Sequence, residues 1–372
     1  MPKTENPLVG VKALGQSIWI DFIQRSMMAS GALQRLISDD DICGLTSNPS
    51  IFEKAIAETD EYDAALEELI AEDRHTSDYD LYTALAVQDI AAAADIFSPV
   101  HQASRGDDGM VSLEVSPSLA DDVEGTIKEA ISLHERLNRP NVMIKVPGTK
   151  AGVEAFRRLT AMGISVNVTL LFSVSRYQDI AQAYVNGLAE RHAAGQPLAG
   201  ISSVASFFIS RVDTAVDKVL ADKGTDAANA LMGKIAVANA KLAYAYYDEL
   251  FNGEAFAALK AAGALPQRLL WASTSTKNPD YSDVYYIEEL LGPDTVNTVP
   301  PATLDAYRDH GQPESRLGQG VPTAQRQVDA LNSLGVDLDA VTDQLEKEGV
   351  EQFVQAFDRL LAALAVKRRA LT

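Results

Sequence analysis

The chain has 372 residues, 47% hydrophobic and 23% charged, enough for about two ordinary domains or for one α/β barrel with insertions. Its formal net charge of −20 argues against nucleic acid or an anionic membrane as partner, because both are bound through basic patches that release counterions. An anionic substrate must then be held by local donors rather than by the overall field. The one cysteine, Cys43, allows no intrachain disulfide. The N-terminal "MPKTENPLVG" lacks the apolar core of a signal peptide, and no apolar run approaches about 18 residues, so a soluble cytoplasmic protein is expected.

Short β-rich runs alternate with longer segments of helical spacing. The expected strands, in order, are "SIWIDF" (17–22), "DICGLT" (41–46), "MVSLEV" (110–115), "NVMIKV" (141–146), "ISVNVTL" (164–170), "GISSVAS" (200–206), "RLLWAS" (268–273) and "TVNTV" (295–299). The second is followed by a long helical insertion that runs through the acidic "EDRHTSDYD" (72–80), and the alanine-rich stretch 207–263 predicts two or three helices. After the eighth strand come a polar connector, "RDHGQPESRLGQG" (308–320), and a helical tail. In that tail Val350, Phe353, Val354, Phe357, Leu360, Leu361 and Leu364 repeat at i, i+3, i+4 and i+7, and Lys367, Arg368 and Arg369 suit the negative end of the helix dipole.

Eight strand–helix alternations predict a (β/α)8 TIM barrel with additional helices after strands 2 and 6 and a helical C-terminal tail. Residues 1–372 form one domain on this reading, with 15–310 the barrel and 311–372 the extension. A doubly wound open sheet would carry a glycine-rich phosphate turn after an early strand; the nearest match, "GQGVPT" at Gly318, follows no strand and reads as a loop.

Strand side chains alternate, so residues of equal parity share a face. Ser17, Trp19 and Asp21 oppose Ile18, Ile20 and Phe22; Ser112 and Glu114 oppose Val111, Leu113 and Val115; Met143 and Lys145 oppose Val142, Ile144 and Val146; Ser165, Asn167 and Thr169 oppose Ile164, Val166, Val168 and Leu170. Four strands thus keep an apolar face for the outer helices and turn polar groups inward. A single lysine or glutamate at a strand end commonly just reaches solvent. Four of matched parity, Asp21, Glu114, Lys145 and Asn167, near their strand ends predict a site at the C-terminal mouth, where barrel enzymes keep their chemistry.

Metal chemistry fits this set poorly. His75, His101, His134, His192 and His310 show no paired ligand spacing, Cys43 has no histidine partner, and "SSVAS" lacks a nucleophile elbow, so neither metal nor cofactor is expected. A lysine inside a barrel has another use. Taking an amine out of water disfavours its charged form, and a neutral amine attacks a carbonyl to give a Schiff base. Loss of the carbinolamine hydroxyl needs a proton shuttle, a role open to Glu114, and carbon–carbon cleavage needs a second base, open to Asp21. Asn48, Asn167 and Thr169 can orient sugar hydroxyls. This is the outline of a class I aldol enzyme.

"TSNPSIF" (46–52), "VSLEVSP" (111–117), "MIKVPGT" (143–149) and "SVNVTLLFS" (165–173), in that order, resemble the transaldolase family, and "DTVNTVPPATLDAY" (294–307) resembles its longer bacterial branch. The resemblance spans about residues 15–310. It implies a (β/α)8 enzyme of the pentose phosphate pathway that needs no cofactor. Such an enzyme moves a dihydroxyacetone unit from sedoheptulose 7-phosphate to glyceraldehyde 3-phosphate, giving erythrose 4-phosphate and fructose 6-phosphate. It further implies Lys145 as the Schiff-base lysine, Glu114 as proton shuttle, Asp21 as the base in cleavage, and Asn48, Asn167 and Thr169 as the groups that orient donor and water.

"SFFISR" (206–211) resembles the segment whose serine and arginine hold the substrate phosphate, which implicates Ser206 and Arg211. After strand 7 the chain reads "WASTSTKNP" (271–279): Ser273 matches the family, Ser275 stands where an arginine is common, and Lys277 is expected to supply the missing charge. Two other readings use the same barrel. One is a fructose-6-phosphate aldolase that releases free dihydroxyacetone; the other is a non-catalytic sugar-phosphate-binding protein. The partners expected are phosphorylated ketose and aldose sugars, and both a monomer and a homodimer fit the sequence.

Overall fold

Three apolar runs in the first half of the chain are followed closely by a residue that caps a helix. Asn48, Thr149 and Ser173 accept hydrogen bonds from the backbone N–H of Ile51, Gly152 and Arg176, so extended chain turns into helix at these points. In the computed structural model, which describes residues 6–371, eight strands result. They are β1 (Gln16–Asp21), β2 (Ile42–Thr46), β3 (Met110–Glu114), β4 (Val142–Pro147), β5 (Val166–Leu171), β6 (Ser203–Phe208), β7 (Arg268–Ala272) and β8 (Thr295–Val299). All neighbours are parallel, β8 pairs with β1, and the sheet closes in sequence order. This is the expected (β/α)8 barrel.

The expected strands match within two residues at most ends. β6 is the largest departure: it starts at Ser203 rather than 200 and runs on through Phe208. Three helices fill the insertion after β2, Pro49–Ala57, Asp63–Glu72 and Asp78–Ala103. The stretch after β6 holds four helices rather than two or three: Ser210–Lys223, the short Asp226–Asn229, Ile235–Phe251 and Glu254–Ala261. The extra break lies at a glycine, where Gly224 ends the first of them with φ 60°.

The tail forms Val321–Ser333 and a 34-residue helix, Leu338–Leu371. Phe353, Phe357, Leu360 and Leu364 are buried at the expected spacing, each contributing roughly 1.5–3 kcal/mol. The basic residues near the end of this helix have a more specific role than dipole matching. Lys367 pairs with Asp63 at 2.6 Å and Arg368 with Asp78 at 3.1 Å, which ties the tail to the insertion after β2.

The lower barrel is packed shut. Trp19 is fully buried, and a Cβ at Gly44 would sit 2.7 Å from its indole, so only glycine lets the neighbouring strand pass. Below it, Arg268 is held by Asp108 at 3.0 Å, by the Ser17 hydroxyl at 3.0 Å and by the Asp107 carbonyl. The cavity on the barrel axis that holds the inward polar residues lies at the other end.

Candidate active site

The strand register sets the level of each inward side chain. Glu114 pairs with Lys145, and Lys145 with Asn167, so the three stand side by side on β3, β4 and β5. Asn167 is the second residue of its strand rather than near its end as expected. The stagger of a closed barrel, which offsets successive strands along the axis, still brings it level with Lys145.

Lys145 is 5% exposed. Its Nζ donates to the Ser47 carbonyl at 3.0 Å and lies 3.7 Å from Glu114 Oε2, an ion pair too long for a hydrogen bond. Glu114 Oε2 has no hydrogen-bond partner at all. Burial pushes the Glu114 carboxyl up to about 7, against the opposing pull of the Lys145 charge. Burial also raises Asp21, again opposed by Lys145 and by the Thr46 hydroxyl that donates to its Oδ1 at 2.7 Å. Two carboxyls and an amine thus share one small volume, and one of the carboxyls titrates near neutrality.

Behind the lysine, Asn167 donates to Ser112 Oγ at 3.1 Å and accepts from Ser206 Oγ at 2.7 Å. Thr169 Oγ1 is buried without a partner. The residue after it, Leu170, has φ 62°, a left-handed conformation that costs a branched side chain of order 1–3 kcal/mol. The β5–β6 pairing shifts register at the same place. Backbone strain and an unpaired hydroxyl therefore coincide on the residues that end this strand.

A cavity of about 300 Å³ opens above these groups. Asp21, Asn48, Lys145, Thr169, Ser206, Arg211, Ser273 and Lys277 all line it, while Glu114 and Asn167 stand just behind the wall. The structure thus brings every candidate residue to one place. At the outer side, Arg211 makes no ion pair or hydrogen bond among the described residues and lies 5.3 Å over the Phe208 ring. Burial lowers it, with the Glu348 charge acting the other way. Ser273, at φ 57°, exchanges a 2.9 Å hydrogen bond with Ser210, whose own N–H donates to the Ser273 carbonyl. Ser275 is taken up by Thr303 at 2.8 Å, which leaves Lys277, exposed yet at the cavity wall, as the cation of that loop.

Several contributors carry no sequence signal of their own. Thr46 and Thr298 lie 2.6 Å apart and set the Asp21 carboxylate; Ser47 offers only its backbone carbonyl to Lys145. Phe353 comes from the C-terminal helix to line the same cavity. Among the described residues no group of three or more His, Cys, Asp or Glu is arranged to hold a metal ion, and no helix is long and apolar enough to cross a membrane.

Comparison with known proteins agrees with this geometry. Residues 18–364 match the model of the transaldolase/fructose-6-phosphate aldolase family. A transaldolase from Thiobacillus denitrificans is 50% identical over 354 residues, covering 95% of this chain and 98% of that protein. A protein named transaldolase 2 from Nostoc sp. is 46% identical over 99% of both chains, and a transaldolase from Saccharopolyspora erythraea is 47% identical over 96% of both. Together with a closed eight-stranded barrel that carries a buried lysine among carboxyls at its mouth, these matches make the chain a member of the transaldolase/fructose-6-phosphate aldolase family.

Proposed function

We propose that the protein is a transaldolase, acting in the pentose phosphate pathway of the cytoplasm on sedoheptulose 7-phosphate and glyceraldehyde 3-phosphate. The observation that carries this reading is the Lys145 amine, buried and 3.7 Å from a carboxyl that titrates near neutrality, in a chain half identical to a transaldolase.

The Lys145 amine attacks C2 of the ketose, and Glu114, acting through water, delivers the proton with which the carbinolamine hydroxyl leaves as water. Thr169 Oγ1 and Glu114 Oε2, both without partners, are the groups that hold this water. Asp21 then takes the proton from the C4 hydroxyl as the C3–C4 bond breaks. The electron pair of that bond moves to the iminium nitrogen, erythrose 4-phosphate departs, and a three-carbon enamine stays on Lys145. Attack by C3 on the aldehyde of glyceraldehyde 3-phosphate, with Asp21 returning its proton, and hydrolysis of the imine give fructose 6-phosphate.

Asn48 and Asn167 orient the donor hydroxyls. Ser206, expected beside Arg211 at the phosphate, gives its proton to Asn167, so in this arrangement it is suited to accept from a sugar hydroxyl rather than to donate to phosphate. Arg211, with no ion pair among the described residues, is suited to a forked contact with phosphate; Ser273 and Lys277 complete that end, the lysine as a point charge. Domain organisation follows the same reading: residues 15–310 supply the barrel and 311–372 an extension that completes the cavity wall.

The test is acceptor dependence. With fructose 6-phosphate as donor, the purified protein should form sedoheptulose 7-phosphate when erythrose 4-phosphate is present and stall after about one turnover without it. Sustained release of free dihydroxyacetone without acceptor would instead mark the aldolase branch of the family.

A further inference from the structure

The C-terminal helix does more than close off the outside of the barrel. Leu338–Leu371 crosses the mouth, touching the helix after β2, the turn 117–119 after β3, the end of β5 and the helix after β6. Gly349 lets the helix approach the end of β5: a Cβ there would lie 3.0 Å from Leu170 Cδ2, tighter than side chains normally pack. Leu170 is the left-handed residue that follows Thr169. About one turn further along the helix, Phe353 lines the cavity that holds Lys145 and Thr169, and it is 7% exposed.

This cover is fixed on both sides of the crossing. Arg176 pairs with Glu346 at 3.1 Å before it, and Arg359 with Glu53 at 2.7 Å after it. Phe357, Leu360 and Leu364 bury the following turns. Phe353 is thus an apolar ring set over a mostly polar cavity. It offers no hydrogen bond to a sugar, and what it does is fill space that water would otherwise occupy.

That space bears on the fate of the enamine. Attack on an aldose completes transfer. Alternatively, C3 takes a proton to regenerate the iminium, and one water then hydrolyses it to free dihydroxyacetone and the Lys145 amine. Both routes end with one water hydrolysing an imine and differ only in whether C3 takes an aldose or a proton, so the access of bulk water as a proton donor to C3 sets the share of release.

We propose that Phe353, held over the cavity by the C-terminal helix, sets the ratio of transfer to release by keeping bulk water from the Lys145-bound enamine. The inference rests on the Schiff-base reading of the site. It is tested with the full-length chain and its Phe353→Ala and Phe353→Leu variants. Each is given fructose 6-phosphate with limiting erythrose 4-phosphate, and sedoheptulose 7-phosphate and free dihydroxyacetone are measured together. The ratio of free dihydroxyacetone to transfer product should rise about tenfold in Phe353→Ala, equivalent to about 1.4 kcal/mol between two competing barriers, and less in Phe353→Leu.

Borohydride reduction of the same samples separates the two ways of failing. If the wild-type protein gives no adduct on Lys145, the Schiff-base reading falls. If all three proteins give the adduct while the product ratio stays at the wild-type value, the role of Phe353 falls alone. Should Phe353→Ala not fold, the Leu variant decides: an unchanged ratio overturns the inference.

Discussion

The two ends of the barrel both bury charge, and they treat it differently. At the bottom, Arg268 meets Asp108, the Ser17 hydroxyl and the Asp107 carbonyl, and Asp108 in turn accepts from Ser17 and from Trp19. At the mouth, Lys145 has one carbonyl and a long ion pair, Glu114 Oε2 and Thr169 Oγ1 have no hydrogen bond, and Arg211 lines the cavity with no ion pair among the described residues. A buried charge with its partners present is a structural element; one whose partners are missing is held ready for a ligand. The contrast distinguishes floor from site without reference to any relative.

Substitutions at the two ends should therefore separate activity from stability. The largest effect is expected for Lys145→Ala. It should lower turnover by roughly 10⁴-fold or more, since the covalent route has no substitute, while the melting curve changes little. Asp108→Ala should do the reverse. Leaving Arg268 short of its main partner costs about 3–5 kcal/mol by denaturant unfolding, with the reaction at Lys145 intact in the folded fraction. If Asp108→Ala proved neutral and Lys145→Ala strongly destabilising, the assignment of floor and site would be reversed.

A smaller effect sharpens the mouth itself. Glu114→Gln should slow imine formation on the order of 10²–10³-fold and remove a limb near pH 7 from the rate profile. The sign for stability follows from the same shift. The carboxyl has an ordinary value of 4.5 and is raised to about 7 in the fold, so ionising it disfavours the folded state. Its contribution falls as pH rises from about 4.5 to about 7 and is constant above that. The Gln variant should lack that slope in pH-dependent denaturation. The smallest expected change is at the end proposed to hold phosphate. Arg211→Met should raise KM for phosphorylated sugars by roughly 10–100-fold and Lys277→Met by less, because a half-buried fork loses more than an exposed point charge. Equal effects would show that Lys277 closes onto the phosphate as firmly as Arg211.

Period-two alternation was enough to bring Asp21, Glu114, Lys145 and Asn167 to one interior face, because a strand leaves no choice about which side a residue takes. The level of Asn167 was not legible: it depends on the stagger between strands, which no single strand encodes. Thr46 and Thr298 set Asp21 across a gap of 252 residues in sequence, a contact created only when β8 closes on β1. Phe353 was visible as one residue of an apolar stripe, and nothing in the stripe indicates that one of its rings leaves the helix–helix contact to face the cavity. Arg268 opens β7, and nothing local to that strand shows that it is buried beside Asp107 and Asp108 once the barrel closes. The elements were readable from local pattern, whereas the groups that complete each end come from closure.

The most direct test of the central claim is reductive trapping. The protein is incubated with fructose 6-phosphate, reduced with borohydride, digested and analysed by peptide mass. The account predicts a dihydroxyacetone-derived adduct on Lys145, absent from Lys145→Ala. An unmodified Lys145, under conditions that label another class I aldol enzyme, would contradict it.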